Sequence, residues 1–216
     1  MKIYLSLSLG LFLLISTLTK AQFIDNYGFR LGIGLSNQYW NLKGMEDFSD
    51  WKTNKTGFIG QFMIEKKINN YIAFRPAIGY TQYGCILHIN FNPNDPTAET
   101  PLKTNYNLDL HYLSADLSIK ISPLQAKFTP YILLGFRSNY LFNYRDELEE
   151  TDFGFISEYN KITLDGLFGV GISYNDFLNL DFEFNPALTK NYDNSFLSIK
   201  NRYYSLTLGL NINRLL

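Results

Sequence analysis

Residues 161–186 read KITLDGLFGVGISYNDFLNLDFEFNP, and this stretch decides the fold. It holds two runs in which apolar and polar side chains alternate, joined at Tyr174-Asn175-Asp176. Because side chains of a strand point to opposite faces in turn, each run predicts a strand with one apolar and one polar or ionisable face. The runs are longer than an ordinary strand and match the about 9–11 residues of a tilted transmembrane strand. Together they predict one hairpin of a membrane β-barrel.

The same alternation recurs along the chain and predicts eight strands in all. Besides the two in the hairpin, they cover residues 27–36, 56–67, 71–84, 106–122, 128–141 and 202–213. Long connections at 37–55, 85–105, 142–160 and 189–201 alternate with short turns, as in bacterial outer-membrane barrels with their external loops and short periplasmic turns. The prediction is an all-β, eight-stranded antiparallel up-and-down transmembrane barrel in the outer membrane.

Two irregularities are expected within these strands. Pro76 has no N–H to donate to a neighbouring strand, so a bulge is predicted there. The apolar phase changes near Tyr112-Leu113, which predicts a second bulge in the same strand as His111.

The N-terminus predicts export. Residues 1–21 combine Lys2, a short apolar core and small residues at Thr19 and Ala21, as in a cleaved secretory signal peptide. We expect a barrel domain over residues 22–216.

No run of 18 apolar residues follows the predicted signal, so helical membrane spans are excluded and only a closed barrel remains as a spanning structure. The single Cys85 excludes an intramolecular disulfide.

The charge of the chain does not favour binding to nucleic acid. Without Lys2 and Lys20 the chain has 17 basic and 20 acidic residues, and it has no basic cluster larger than Lys66-Lys67. We therefore expect no nucleic-acid partner.

An eight-stranded barrel is just wide enough to be filled by side chains, so no open pore is expected. Charges inside it must pair, because an isolated buried charge is very costly. The polar phases predict a structural lumen network of Arg30, Gln61, Glu65, Arg75, Asp116, Lys120, Arg137, Asp165, Asp181 and Glu183.

Aromatic residues gather near the predicted strand ends, where barrels carry girdles at the two membrane interfaces. On the long-loop side the expected girdle is Tyr39, Trp40, Tyr83, Tyr106, Tyr140 and Tyr204. On the short-turn side it is Tyr71, Phe128, Tyr131, Tyr174 and Phe177.

Four ordered pieces carry a family resemblance: residues 112–120, Pro130-Tyr131 with Gly135, residues 165–171 and residues 180–188. In these pieces the chain resembles the outer-membrane β-barrel domain family of Bacteroidota, often called the PorT-like family. Asp116 and Phe136 stand where that family often has proline. The resemblance implies the barrel fold and an outer-membrane location, and it brings no catalytic residues and no cofactor. It also leaves open an accessory role in a secretion or gliding apparatus.

Candidate chemical sites are few. His111 and Asp109, expected in the inward phase, with Ser114 nearby would suggest a lipid hydrolase, but their spacing matches no known signature. We therefore predict no enzyme, no catalytic residues and no cofactor.

Two loop features have a functional and a plainer interpretation. The acidic run Asp146, Glu147, Glu149, Glu150 and Asp152 suggests a cation site, but such a run is more often a solvated loop, and no metal site is predicted. Trp40 and Trp51 are either a platform for a sugar or partner, or interface anchors.

The rival interpretation is a soluble, exported, lipocalin-like barrel with a small apolar ligand inside. Alternation alone does not decide which face is the interior. Strand length, the one-sided long loops and the aromatic strand ends favour the membrane. The expected role is structural or an interaction through the loops. The expected partners are outer-membrane lipid and lipopolysaccharide, the barrel-insertion machinery during biogenesis, and an unidentified extracellular or envelope protein.

Overall fold

The computed structural model describes residues 24–42, 52–88, 105–147 and 159–214. Eight long strands follow one another around a ring: β1 (Asn26–Leu42), β2 (Lys52–Lys67), β3 (Ile72–His88), β4 (Asn105–Ile121), β5 (Phe128–Asp146), β6 (Ile162–Tyr174), β7 (Leu178–Pro186) and β9 (Leu197–Asn211). All neighbours pair antiparallel, and β9 pairs back onto β1 to close the ring. The two-residue strand β8 (Tyr192–Asp193) also pairs with β9, and a 3-10 turn (Ile212–Arg214) follows β9.

This architecture confirms the predicted eight-stranded up-and-down barrel. The predicted signal peptide lies outside the described residues. Among the residues that the structure describes, no helix is long and apolar enough to cross a membrane.

The two faces of the wall carry opposite chemistry. On β9, Leu206, Leu208 and Leu210 are exposed on the outside, whereas Ser205 and Thr207 are buried inside. The same arrangement runs round the ring, so an apolar belt surrounds an ionisable interior. This is the arrangement that a bilayer requires, and a soluble barrel around an apolar ligand has the reverse. The lipocalin-like alternative is therefore excluded.

The deciding hairpin closes through a two-residue turn. Asn175 and Asp176 adopt left-handed backbone angles, with φ of 51° and 55°, and the N–H of Phe177 donates to the carbonyl of Tyr174 at 2.9 Å. Asn and Asp tolerate these angles better than other side chains, and turns of this kind match the twist of paired strands.

Several strands are longer on the loop side than the alternation predicted: β1 reaches Leu42, β3 reaches His88 and β5 reaches Asp146. We call residues 37–42, 52–55, 82–88, 105–111 and 142–146 the projecting section. Its outward residues are mainly polar, and its inward residues are mainly apolar, among them Cys85, Leu87, Leu108 and Leu110. The chemistry of the two faces is thus reversed above the apolar belt. Of this section, only residues 82–84 and 106–111 were predicted as strand, and the rest was interpreted as loop.

This reversal explains why the bulge predicted near Tyr112-Leu113 in β4 is wrong. Every second residue from Tyr106 to Lys120 is buried, so the strand keeps one phase throughout. The irregularity near Tyr112 is real, but it belongs to β5: His111 lies opposite Asn143 and Tyr112 opposite Leu141, which leaves Phe142 as the extra residue. As a consequence His111 points outward, not inward as predicted.

The bulge predicted at Pro76 is also wrong. Met63 lies opposite Ala77 and Lys66 opposite Phe74, so the β2–β3 register is the same on both sides of the proline. The missing N–H of Pro76 removes one possible hydrogen bond from the sheet, but it does not require an extra residue in the strand. The register shift between these strands lies instead between Asn54 and Ile59.

The outward position of Leu208, midway along the lipid-facing part of β9, makes a direct test of the membrane belt. We expect Leu208→Arg to lower the free energy of unfolding by about 2–4 kcal/mol, because a cation near the bilayer midplane loses its hydration. The matched control is Leu35→Arg, at the loop-side edge of the belt opposite Tyr204, where the cost falls to about 0–1 kcal/mol. Denaturant unfolding in phospholipid vesicles measures both, and equal losses for the two variants would contradict the assigned belt.

Candidate functional site

The barrel interior is where the ionisable side chains converge, and its central cluster joins four strands. Arg137 on β5 donates to the two carboxylate oxygens of Asp116 on β4 at 2.7 and 2.8 Å, and to Glu183 on β7 at 2.9 Å. Arg30 on β1 bonds to Asp116 and Glu183 as well, and its Nε donates to Gln61 at 2.6 Å. All four charged side chains are almost fully buried. Two cations and two anions thus neutralise each other across the lumen.

Further ion pairs lie towards the periplasmic end. Arg75 bonds to Asp181, which also accepts a hydrogen bond from the hydroxyl of Tyr131. Lys120 lies 3.0 Å from Glu65, and its ammonium is 4.5 Å from the centre of the Tyr131 ring. These pairs meet the requirement that buried charges have partners.

Asp165 marks the upper edge of this polar network. It accepts hydrogen bonds from the hydroxyl of Tyr83 and the amide of Asn139, both at 2.8 Å. Although Arg137 lies directly across from it in the β5–β6 ladder, the Arg137 guanidinium bonds to Asp116, Glu183 and Asn185 instead. The Arg137 guanidinium and the Asp165 carboxylate, both predicted in the lumen network, are therefore not bonded to each other directly.

Glycines create the space for two large inward rings. A Cβ on Gly34 would lie 2.1 Å from the hydroxyl oxygen of Tyr203, and one on Gly171 would lie 2.5 Å from the ring of Tyr131. Both contacts are far shorter than atoms allow. Gly34 and Gly171 thus make room inside the barrel for the rings of Tyr203 and Tyr131.

Above Asp165 the interior becomes an apolar core. Tyr83 stacks on Tyr203 with ring centres 4.4 Å apart and meets Tyr112 edge-on at 5.1 Å. The core contains Ile59, Tyr83, Cys85, Leu87, Tyr106, Leu108, Leu110, Tyr112, Leu141, Tyr159, Tyr192, Ile199 and Tyr203. Burial raises the pKa of the Cys85 thiol to about 12, although the Lys52 and Lys55 cations act in the opposite direction, so the thiol is protonated at neutral pH.

Two residues from outside the eight long strands close this core. Tyr159, just before β6, is 5% exposed and donates to the side-chain oxygen of Gln38 at 3.3 Å. Tyr192 of β8 is 7% exposed, and the neighbouring Asn191 donates to the hydroxyl of Tyr112 at 3.1 Å. The interior is therefore filled by side chains from the ion pairs up to this cap.

The aromatic residues divide into two groups that the sequence did not separate. Tyr39, Tyr71, Phe128, Tyr140 and Tyr204 are exposed on the outside, and Trp40, Tyr174 and Phe177 are partly buried. Tyr83, Tyr106 and Tyr131, expected in the girdles, are buried inside, because they share the inward phase of their strands. Trp51 lies outside the described residues.

The residues considered for catalysis do not assemble. Ser114 is buried inside and donates to Asn139 at 2.7 Å, whereas the His111 ring faces outward and lies 2.6 Å from the hydroxyl of Tyr80. Asp109, also outward, pairs with Lys55 at 2.9 Å. A serine and a histidine on opposite faces of one wall cannot share a proton.

The acidic run also shows no cation geometry in its described part. The Glu147 carboxylate accepts a hydrogen bond from the backbone N–H of Asn107 at 3.0 Å. Glu149, Glu150 and Asp152 lie outside the described residues. Within residues 24–42, 52–88, 105–147 and 159–214, no group of three His, Cys, Asp or Glu side chains is placed to hold a metal ion.

Asn185 and Asn139 belong to the network but were missed in the sequence. Asn185 accepts from Arg137 at 3.0 Å and donates to the backbone carbonyl of Gly166 at 3.2 Å, where the β6–β7 ladder stops beside Pro186. Both amides lie in the inward phase of their strands, which is the signal that would have found them.

Comparison with known proteins identifies the kind of chain this is. Residues 20–193 match the family model described as "Outer membrane protein beta-barrel domain". None of the curated proteins compared matches the chain.

Similar solved structures include the attachment invasion locus protein Ail of Yersinia pestis, at 11% identity and a TM-score of 0.41, covering 86% of this chain and 97% of that one. Outer membrane protein OprG of Pseudomonas aeruginosa is 10% identical with a TM-score of 0.45, covering 86% and 94%. Outer Membrane Protein W of E. coli is 12% identical with a TM-score of 0.40, covering 86% and 98%.

The central cluster predicts strong coupling between Arg137 and Glu183. We expect Arg137→Leu to lower the free energy of unfolding by about 3–5 kcal/mol, because Asp116 and Glu183 then share the single cation Arg30. Adding Glu183→Leu leaves a balanced Arg30–Asp116 pair and is expected to restore at least half of the loss. A double-mutant cycle in denaturant measures the coupling, and additive losses would contradict the assigned pairing.

Proposed function

The chain belongs to the outer membrane protein β-barrel domain family, and we propose on that premise that it is a closed, non-enzymatic support for external interaction loops. It is an integral β-barrel protein of the outer membrane with a lumen filled by side chains. The proposal concerns what such a barrel does: it conducts no solute, and its partners meet it at the loops.

The observation that carries the proposal is the continuous filling of the interior. A solute crossing the barrel would have to separate Arg30 and Arg137 from Asp116 and Glu183, and then displace the apolar core. Breaking a buried ion pair leaves uncompensated charge, which is strongly unfavourable. Eight strands also leave no spare width beside these side chains.

The projecting section supports an interaction role. It extends the strands that lead into the connections after β1, β3 and β5 beyond the apolar belt, and the outer face of these walls carries polar contacts, such as Lys55 with Asp109 and His111 with Tyr80. Tyr159, at the end of the connection from β5 to β6, and Tyr192, within the connection from β7 to β9, anchor these two connections to the rigid core. Loops held by a rigid scaffold are a common location for binding surfaces. The partner proposed is an extracellular or envelope protein, besides the barrel-insertion machinery that the chain meets during biogenesis.

A non-enzymatic role is supported by the separation of Ser114 and His111 on opposite faces of β4. Kinship with the PorT-like group of Bacteroidota is a narrower proposal than family membership. It is supported by residues 112–120 and 165–171, whose polar positions include Asp116 and Asp165 of the lumen.

Electrical recording in planar lipid bilayers tests the closed barrel. We expect folded wild-type protein to give no stepwise conductance, because the ion pairs and the apolar core block the lumen in series. The control variant Tyr159→Ala/Tyr192→Ala removes the cap but leaves the ion pairs, so it is also expected to remain closed. Regular single-channel steps from the wild type would refute the proposal.

Cross-linking in intact cells tests the role of the loops. A photoreactive residue at Glu149, in the connection between β5 and β6, is expected to form adducts with an extracellular or envelope protein. The matched control is the same residue at Phe136, which faces lipid, and it is expected to give no such adducts. Equal adduct patterns from both positions would show that the loops hold no specific partner.

A further inference from the structure

One side of the outer rim carries four basic residues around the upper ends of β6, β7 and β9. Lys200 and Arg202 lie two positions apart on the outward face of β9, and Arg202 is exposed. Lys161 is exposed immediately before β6, and Lys190 lies in the connection from β7 to β9. We call Lys161, Lys190, Lys200 and Arg202 the basic ledge.

Backbone hydrogen bonds bring the ledge together. The N–H of Asn160 donates to the carbonyl of Asn191 at 2.7 Å, and the N–H of Asn191 donates to the carbonyl of Ile199 at 2.8 Å. The segments that carry Lys161, Lys190 and Lys200 are therefore direct neighbours at one height. At about 4.8 Å between neighbouring segments, the backbones of Lys161 and Lys200 are roughly 10 Å apart, well within the reach of two long cationic side chains.

The ledge has excess positive charge. Lys190 lies 2.8 Å from Asp193, but Lys161, Lys200 and Arg202 make no ion pair with any other part of the described chain. The rim around β2 and β4 differs, since Lys55 is paired with Asp109 there, and Arg145 of β5 lies directly across from Asp109 in the β4–β5 ladder. Among the described residues, Lys200 and Arg202 thus place two cations without an anionic partner on the outward face of β9, and the exposed Lys161 adds a third at the top of the neighbouring wall.

An apolar and aromatic surface lies directly below the ledge. Tyr204, the next outward residue after Arg202, stacks on Phe184 with ring centres 4.9 Å apart. It also stacks on Phe182, with ring centres 6.5 Å apart. Leu188, which follows β7 at the level of Lys200, is 49% exposed. A ligand that fits both surfaces has an anionic head at the level of the ledge and hydrocarbon chains along the belt below it.

We propose that the basic ledge binds the phosphate groups of one lipopolysaccharide molecule, whose acyl chains lie against Tyr204, Phe184 and Phe182. Lipid A has this combination of phosphates and chains, and it lies in the outer leaflet at the height of the ledge. Arg202 forms paired hydrogen bonds with phosphate oxygens, and the lysines add point charges. The site requires only that the barrel sits in the outer membrane, so it stands independently of the proposed role of the loops.

Binding of lipid A to the purified full chain in detergent tests the site. We expect diphosphorylated lipid A to bind at least tenfold more tightly than fully dephosphorylated lipid A. The variant Lys200→Gln/Arg202→Gln is expected to lose more than tenfold in affinity for the diphosphorylated form, because each cation near an anionic lipid surface contributes about fivefold. The matched control Arg145→Gln lies on the same rim beside Asp109 and is expected to stay within twofold of the wild type.

Two further measurements check that the variants are folded and that the charge of Arg202 is what the lipid binds. The mobility shift between unboiled and boiled samples on a detergent gel checks that each variant is folded, and Arg202→Lys, which keeps the charge, is expected to retain affinity within threefold. Equal binding of the two lipid A forms, or unchanged affinity of the double variant, would overturn the proposal. Displacement of lipid A by an equal concentration of inorganic phosphate would also overturn it, because it would indicate a phosphate site that makes no use of the acyl chains.

Discussion

The closing ladder between β1 and β9 is the constraint on which the rest of the structure depends. In hydrocarbon no water is present to satisfy a free strand edge, so the sheet must return to its first strand. Fifteen residue pairs, from Gly28 with Asn211 to Leu42 with Leu197, make this closure. Closing the ring at eight strands fixes a narrow interior, and that narrowness forces side chains of opposite charge into contact. The Arg30, Asp116, Arg137 and Glu183 cluster is therefore a consequence of ring size as much as of the residues themselves.

The barrel consists of two differently organised halves along its axis. Within the membrane the apolar side chains face out and the charges face in. In the projecting section the outer wall meets water, so the apolar side chains turn inward and form a core like that of a soluble protein. Asp165 lies at the junction, because its neighbours are Tyr83 of the apolar core and Asn139 of the polar network. This change of medium explains how strands of 17 and 19 residues, β3 and β5, extend beyond what a bilayer requires.

The sequence predicted the fold and most of the membrane-facing belt, because alternation reports which residues share a face. It does not report which medium meets that face. Along β4 the outer medium changes from lipid to water near His111, and the same inward phase therefore changes from Ser114 and Asp116 to Leu108 and Leu110. That change has the same appearance in sequence as a bulge, so His111 was assigned to the wrong face. Alternation does not predict which side chains contact each other across the lumen. Arg30 and Glu183 are 153 positions apart in the sequence, and only the closure of the ring and the stagger of the strands bring them together.

Polar lumens of this kind also bear on how such a chain reaches its membrane. For stability alone, well-packed apolar residues often replace buried ion pairs without loss. An apolar lumen would, however, make both faces of β6 and β7 apolar, so that the turn residues Asn175 and Asp176 would be the main polar interruption of residues 162–186. A segment of 18 or more residues with few charges is a candidate transmembrane helix, and it would be retained in the first membrane that the exported chain meets. Asp165, Asp181 and Glu183 interrupt that stretch, so the side chains that fill the closed lumen are the same ones that let the hairpin pass through as an extended chain.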